Sequence, residues 1–259
     1  MLAHRYTLWR VRPLTALKFR LQDVFGPHDP LVPPRRMQHV GAGDFVATGD
    51  EFLGHLTELA GLRPDERVLD AGCGIGRIAR PLVGYLDGGS YAGFDVNAPA
   101  IGWCQARYPD HFAFTLVDLY NARYHPTGTQ RAGTFRFPYA DDSFDVALMA
   151  SVLTHLLEEE ADHYLAEARR VLRPGGRLLA TFFLLDEGSR TAIAHGDSAL
   201  RFLDPEQQVA VVSDDAPEEA VAYDEAWVRQ RLDVREPIDR GTWRGGEGRS
   251  FQDIVVATA

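Results

Sequence analysis

The feature that most constrains this chain is a glycine-rich turn between a short apolar run and a helical pattern. Val68 and Leu69 lead into the run Asp70-Ala71-Gly72-Cys73-Gly74-Ile75-Gly76-Arg77. Apolar residues then recur with helical spacing over residues 76–86. Glycine at such a turn tolerates a positive φ and lets the backbone approach a ligand. A strand, a glycine turn and a helix in this order are typical of an α/β nucleotide-binding sheet, whose ligands lie beyond the carboxyl ends of the strands.

Strand and helix patterns alternate along the rest of the chain. Short apolar runs predict strands at residues 67–70, 91–95, 112–117, 144–149, 177–185, 234–243 and 253–259. Helical spacing predicts helices at residues 49–60, 76–86, 97–108, 157–172 and 224–232. This alternation indicates an α/β fold with a mostly parallel sheet and helices on both faces. Residues 186–222 show neither period and are expected to form a polar, irregular insert.

Composition excludes several classes of partner. The 259 residues suit one large α/β domain with a modest extension. A net charge of −10 argues against a general nucleic-acid or anionic-membrane binder. No apolar run near the start has signal-peptide or membrane-spanning length. The two cysteines, Cys73 and Cys104, fit neither a disulfide framework nor a metal site. We therefore expect a cytoplasmic protein with no metal and with no nucleic-acid or membrane partner.

The chain divides into an arm and a domain. Residues 1–48 are rich in proline and are expected to form an N-terminal arm or lid, with residues 49–259 as the domain. One interpretation is a surface wrap on the core, and the other is a lid in which Arg36 and Phe45 face a ligand. The sequence does not decide whether this arm closes over the site or joins two copies in a homodimer. The long loop 119–143 and the insert 186–222 are expected to shape the substrate pocket.

Three carboxylates follow three successive predicted strands. Asp70 ends the first strand, Asp95 ends the second, and Asp118 comes directly after the third. The carboxyl ends of parallel strands meet at one edge of a sheet, so we expect these side chains to lie near each other. A carboxylate after the second strand is well placed to accept hydrogen bonds from both ribose hydroxyls. The alternative for each aspartate alone is an N-cap of the following helix.

Taken with four further motifs, this pattern resembles the class I S-adenosylmethionine-dependent methyltransferases. The further motifs are Gly93-Phe94-Asp95-Val96, Asp118-Leu119, Phe137-Pro138-Tyr139-Ala140-Asp141-Asp142-Ser143-Phe144-Asp145 and Leu172-Arg173-Pro174-Gly175-Gly176. The resemblance implies a Rossmann-like, doubly wound, mostly parallel seven-stranded sheet with an antiparallel last strand and helices on both faces. It also implies S-adenosyl-L-methionine as the cofactor. The arm at residues 31–46 and the long loop are similar to those of a small-molecule, sugar-directed subgroup.

The resemblance implies a set of residues for the methyl donor. The set is Asp70, Gly72, Gly74, Gly76, Arg77, Phe94, Asp95, Val96, Asp118, Leu119, Ala150 and Ser151. In this family the three glycines would cradle the methionine part, with Asp70 near its ammonium group. Ala150 and Ser151, which follow the fourth strand, would line the donor methyl.

The same resemblance assigns the nucleoside end of the donor. Asp95 would bind the ribose hydroxyls, with Phe94 or Val96 beside the adenine. Asp118 would accept a hydrogen bond from the adenine amino group, and the Leu119 amide would meet a ring nitrogen.

His155 is the favoured catalytic residue. Methyl transfer from a sulfonium is an in-line displacement that needs alignment and, for a hydroxyl acceptor, removal of a proton. His155 follows the fourth strand at the predicted active edge, and histidine titrates near neutral pH. The alternative is that it only caps a helix or shapes the pocket. His125 and His195 are weaker candidates and are expected to be solvated loop residues.

The sequence gives few indications of the acceptor that receives the methyl group. Tyr124, Tyr139, Tyr223 and Trp243 are candidates to line an acceptor pocket, with core packing as the alternative for each. We expect methylation of a hydroxyl on a small molecule, either a sugar or a natural-product intermediate. Nitrogen or carbon acceptors, and a non-catalytic binding subunit, stay open. The glycine spacing departs from G-x-G-x-x-G, which argues against a nicotinamide-dependent oxidoreductase.

Overall fold

A seven-stranded sheet forms the centre of the computed structural model, which describes residues 29–38, 43–121 and 125–259. The strands in chain order are β1 Arg67–Ala71, β2 Ser90–Asp95, β3 Phe112–Leu116, β4 Phe144–Met149, β5 Leu172–Phe182, β6 Leu184–Leu185, β7 Val209–Val211, β8 Val221–Asp224, β9 Asp233–Asp239 and β10 Asp253–Thr258. The large sheet has the order β3-β2-β1-β4-β5-β10-β9. Strands β1 to β5 pair in parallel, and β10 is antiparallel to both of its neighbours. The predicted fold class, including the antiparallel last strand, is confirmed.

Six α-helices occur in the described residues. They are α1 Phe45–Glu58, α2 Ala79–Tyr85, α3 Ala98–Gln105, α4 Glu158–Val171, α5 Glu187–His195 and α6 Glu225–Arg231. Helix α1 begins before the predicted residue 49, because the Asp44 carboxylate accepts hydrogen bonds from the backbone N–H groups of Val46 and Ala47. None of these helices has both the length and the apolar character needed to cross a bilayer. Residues 1–28 and 39–42 of the predicted arm, and Tyr124, lie outside the described residues.

The sheet carries an apolar core on each face. Successive strand residues point to opposite sides, so β4 supplies both cores. Val146 and Leu148 pack with apolar residues of α1, α2 and α3. Ala147 and Met149 pack with apolar residues of α4 and α6. Because helices cover both faces, the ligand-accessible part of the sheet is the edge at which the strands end.

The expectation that residues 186–222 are irregular is wrong. This segment contains α5, β7 and β8, and the last two join β6 in a three-stranded sheet of order β6-β8-β7. Phe183, Phe202 and Trp243 form part of a third apolar cluster beneath it. The strands are too short to show a period, and their apolar partners lie far away in the sequence. Sequence periodicity therefore could not reveal this small sheet.

A buried ion pair ties the residues before β1 to β5. Glu66 is 2% exposed and Arg177 is 6% exposed. The guanidinium donates from Nη1 and Nη2 to the two carboxylate oxygens, at 3.0 and 2.5 Å. Its Nε donates to the carbonyl of Ala60 at 2.8 Å, just after α1. Arg63 also contacts Glu66, at 2.9 Å, but its side chain is 57% exposed.

Removing one side of this buried pair should be much more costly than removing the exposed contact. Arg177→Met leaves the Glu66 carboxylate buried without its main partner, and we expect it to lower the free energy of unfolding by about 3–5 kcal/mol. Arg63→Met removes an exposed contact to the same carboxylate and should cost less than about 1 kcal/mol. Urea unfolding of both variants measures the difference. Equal losses would show that Glu66 does not depend on the buried arginine.

Candidate functional site

A cavity of about 260 Å³ lies at the carboxyl ends of the parallel strands. It opens where β1 stands between β2 and β4, the point at which the strand order reverses and α/β sheets place their ligands. The predicted site residues that line it are Asp70, Gly72, Gly74, Arg77, Phe94, Asp95, Val96, Leu119, Ala150, Ser151 and His155. The fold thus brings together residues from the ends of three strands and from loop 119–143.

The glycine turn after β1 forms one wall of this cavity. Gly74 has a φ of 53°, and a Cβ placed on it would meet no atom within 4 Å. Glycine is therefore required at this position by the positive φ of the backbone, and not by a lack of space for a side chain. Gly72 has a φ of 82°, and a Cβ there would lie 2.5 Å from Cγ2 of Val152. The turn consequently packs its bare backbone against the segment that follows β4.

Asp95 joins the ends of two strands. Its Oδ2 accepts a hydrogen bond from the Gly74 N–H at 2.8 Å, and its Oδ1 accepts one from the Asn97 N–H at 2.8 Å. Burial raises the pKa of this carboxyl, and the backbone hydrogen bonds act in the opposite direction. Each carboxylate oxygen has more than one acceptor position. Asp95 can therefore fix the glycine turn and still accept hydrogen bonds from a bound hydroxyl.

Asp70 is a buried carboxylate, and only one of its two oxygens accepts a hydrogen bond from the described residues. It is 1% exposed, and its Oδ2 accepts a hydrogen bond from the Tyr91 hydroxyl at 2.7 Å. Its Oδ1 is buried and has no hydrogen-bond partner among the described residues. Burial raises the pKa of Asp70 to about 7. A cationic ligand group in the cavity would stabilise the ionised form.

Arg77 brings a positive charge to the same cavity. Burial lowers the pKa of its guanidinium, which lies 5.9 Å from the centre of the Phe45 ring. A carboxylate and a guanidinium on one cavity wall match a ligand that carries both an ammonium and a carboxylate. That is the charge pattern of a free amino acid.

The segment after β4 brings a histidine to the cavity. His155 lies in the short turn Leu153–His155, and its Nδ1 is 2.9 Å from the carbonyl oxygen of Glu218. A carbonyl can only accept a hydrogen bond, so Nδ1 carries a proton. The basic nitrogen of the neutral ring is then Nε2. The turn Pro217–Glu219 thus orients a side chain that can take up a proton.

Two residues of the predicted donor set do not line the cavity. The Gly76 carbonyl accepts a hydrogen bond from the Tyr108 hydroxyl at 2.8 Å, and a Cβ on Gly76 would lie 2.7 Å from that hydroxyl. Gly76 therefore packs under the turn. Asp118 accepts a hydrogen bond from the Thr129 hydroxyl at 2.5 Å and lies 2.9 Å from Nε2 of His125. These two contacts, with Thr129 the larger cause, hold the pKa of Asp118 below its usual range.

The expected lid residues are not the ones that reach the cavity. Arg36 is exposed, and Phe45 is 2% exposed in the core. The interpretation that these two face a ligand is wrong. Met37 from the described part of the arm, with Thr48 and Phe52 from α1, lines the cavity instead. Because α1 begins earlier than predicted, Thr48 belongs to the helix and lies one turn from Phe52 on the same face.

The expected acceptor aromatics are mainly core residues. Tyr223 and Trp243 are 0% exposed and belong to apolar clusters, so the interpretation of them as pocket residues is wrong. Tyr139 packs edge-on against Phe144, with the ring centres 5.0 Å apart. His195 is exposed at the end of α5.

Sequence reasoning missed part of the cavity lining. The missed polar and aromatic residues include Asn97, Tyr120, Asn121 and Tyr164. Of these, Tyr120 and Asn121 lie in loop 119–143. The length of this loop was the sequence feature that indicated a part in the site. Within the described ranges, no group of three or more histidine, cysteine, aspartate or glutamate side chains could hold a metal ion.

The burial of Asp70 predicts a pH-dependent stability. The carboxyl has a pKa of about 7 in the folded state and about 3.9 in the unfolded chain. As pH rises between these values the unfolded state releases its proton first, so the free energy of unfolding decreases. Asp70→Asn keeps an acceptor for Tyr91 and removes this titration. Thermal unfolding at pH 5 and pH 8 measures the outcome: the melting temperature of the variant relative to that of the wild type should be higher at pH 8 than at pH 5.

Asp65→Asn, which removes an exposed carboxylate, is the control for the loss of one negative charge. A stability difference between Asp70→Asn and wild type that stays constant with pH would contradict the burial argument.

Comparison with known proteins identifies the family. Residues 69–180 match a family model described as a methyltransferase domain. Demethylmenaquinone methyltransferase of Beutenbergia cavernae is 30% identical over 200 residues, which cover 76% of this chain and 73% of that protein. Phthiotriol/phenolphthiotriol dimycocerosates methyltransferase 1 of Mycobacterium ulcerans is 36% identical over 123 residues. That match covers 45% of this chain and only 37% of the relative's length.

A solved structure supports the same fold. The 1,6-didemethyltoxoflavin-N1-methyltransferase of Burkholderia thailandensis, crystallised with 1,6-didemethyltoxoflavin and S-adenosylhomocysteine, superposes with a TM-score of 0.54. It is 18% identical in sequence and covers 83% of this chain and 79% of its own. The family match begins in β1 and ends in β5, the strands that build the cavity. The chain belongs to the class I S-adenosylmethionine-dependent methyltransferases.

Proposed function

We propose that this protein transfers a methyl group from S-adenosylmethionine to a hydroxyl of a small molecule, a sugar or a natural-product intermediate. The observation that carries the proposal is one cavity lined both by charged groups suited to the donor and by His155. The donor supplies an electrophilic methyl group on a sulfonium. The protein's own residues bind the two reactants, align them and remove the acceptor proton.

The donor end of the cavity has the groups that the donor needs. The Oδ1 of Asp70, buried and unpartnered among the described residues, suits the ammonium of the methionine part. The Arg77 guanidinium suits its carboxylate, and the bare backbone at Gly74 leaves room for its chain. Asp95 is proposed to accept hydrogen bonds from the ribose hydroxyls.

The adenine contacts are proposed to come from the end of β2 and the segment after β3. Val96, Phe94 and Leu119 line the cavity near Asp95. Asp118 remains our predicted acceptor for the adenine amino group, although its carboxylate contacts Thr129 and His125.

The acceptor end supports a small molecule with an acidic proton. In the neutral His155 ring the hydrogen bond to Glu218 places the proton on Nδ1, so Nε2 is the basic atom. Met37, Phe52 and Leu156 add apolar walls to the cavity. The names of the two relatives specify demethylmenaquinone and phthiotriol or phenolphthiotriol dimycocerosates as their substrates. A triol with two acylated hydroxyls keeps a free hydroxyl, so the name of the Mycobacterium ulcerans relative supports a hydroxyl acceptor.

Donor binding is the first test of this proposal. Calorimetric titration should show micromolar binding of S-adenosylmethionine and none of NADH. Asp95→Asn should weaken donor binding about tenfold or more, because the amide removes the charge that strengthens hydrogen bonds from the ribose. Asp95→Asn is preferable to Asp95→Ala, since the carboxylate also holds the Gly74 N–H. Asp87→Asn, at an exposed position, is the matched control. Absence of donor binding in the wild type would overturn the proposal.

The role of His155 is tested with an acceptor screen of sugar and polyketide hydroxyls. His155→Gln should lower kcat at least about 100-fold by removing the general base. The dissociation constant of the donor should stay within about twofold of the wild type, since His155 is assigned to the acceptor. Wild-type turnover by the variant at every pH would remove His155 as the base and favour a nitrogen or carbon acceptor. Donor binding without turnover on any acceptor would favour a non-catalytic binding subunit.

A further inference from the structure

Ser151 has an unusual backbone conformation at the cavity. It is a non-glycine residue with a φ of 56°, and it follows β4 where that strand reaches the cavity. A side chain disfavours this left-handed conformation. Such strain persists only where surrounding contacts hold the residue, and it is concentrated at functional sites.

Two neighbouring strands supply those contacts. The Ser151 N–H donates to Oγ1 of Thr181 in β5 at 2.8 Å. The Ser151 hydroxyl donates to Oε1 of Gln252 at 3.0 Å. The Thr181 hydroxyl donates to the same Gln252 oxygen at 2.5 Å. Both the backbone and the side chain of Ser151 are thus fixed by a network that converges on one amide oxygen.

The other end of the Gln252 amide reaches the turn that carries His155. Its Nε2 lies 3.4 Å from Oγ1 of Thr154, the fully buried residue directly before His155. Gln252 stands immediately before β10, and neither it nor Thr181 is among the residues that line the cavity. Gln252 therefore contacts both ends of the segment 151–154 from behind the cavity wall.

We propose that Gln252 is a positioning residue that holds Ser151 in the left-handed conformation and so sets the alignment of the acceptor beside His155. This inference rests on the proposed methyl transfer and adds a residue that acts on it through Ser151. The amide oxygen accepts two hydrogen bonds at once, so its removal releases the Ser151 hydroxyl and the Thr181 hydroxyl together. The backbone of Ser151 can then relax from its positive φ to an ordinary negative φ. Because Ser151 lines the cavity, this change moves the cavity wall.

Rescue by glycine provides the test. Gln252→Ala should lower kcat about tenfold, because small displacements of aligned groups reduce the rate strongly. Its affinity for S-adenosylhomocysteine should change by less than about twofold, since this molecule lacks the methyl group that Ser151 is predicted to line. Glycine adopts a positive φ without strain, so Ser151→Gly in the Gln252→Ala background should restore most of the lost kcat. Gln207→Ala, at an exposed glutamine, is the matched control and should leave kcat unchanged.

A second measurement needs no turnover. Urea unfolding of the wild type, both single variants and the double variant gives a double-mutant cycle. The stability lost on Gln252→Ala should be smaller in the Ser151→Gly background, since one of the broken hydrogen bonds is already absent there.

Additive stability losses, or a kcat that glycine does not restore, would overturn the proposal for Gln252. A wild type that binds the donor but methylates no acceptor would instead overturn the proposed function, and the stability cycle would still decide the coupling between Gln252 and Ser151.

Discussion

The hydrogen bond from the Gly74 N–H to the Asp95 carboxylate is the contact on which the site depends. It joins the turn after β1 to the end of β2 at 2.8 Å, at the point where the strand order of the sheet reverses. Without it the turn would present an unpaired N–H and the carboxylate would lose one of its backbone donors. Because both partners line the cavity, the same contact that closes the turn shapes the cavity in which we propose that the donor binds.

Burial gives this edge of the sheet its electrostatic character. Asp70 is buried and Asp95 is half-buried, and loss of solvation is the main cause that raises the pKa of each carboxyl. The cost is partly offset by hydrogen bonds from Tyr91 and from backbone N–H groups, but one oxygen of Asp70 has none among the described residues. A ligand that brings an ammonium group and ribose hydroxyls would satisfy both carboxylates. The free site is therefore less stable than the same site with such a ligand.

The residues of the proposed donor half could be placed together from the sequence because they are local in the chain. Asp70, Gly72 and Gly74 form a single strand-to-helix turn, and parallel pairing of β1 with β2 brings Asp95 beside it. Spacing alone could not separate Gly76 from the other two glycines. Gly76 differs because Tyr108, which follows α3, packs over it. No local sequence pattern predicts that contact.

In the proposed acceptor half, His155 was predicted but the contacts that hold it were not, because those contacts come from remote segments. His155 is oriented by the carbonyl of Glu218, and the segment before it is held by Gln252; both partners are distant in the chain. The polar stretch 186–222 lacked a period, so the sheet that carries the Glu218 turn was not predicted. For Tyr223 and Trp243 the structure shows core packing, the alternative that the sequence left open, in two different apolar clusters. The parallel strands thus position the proposed donor residues, while packing between remote segments forms the wall that we propose for the acceptor. If the proposal holds, a change of acceptor can arise in these segments without disturbing the donor residues.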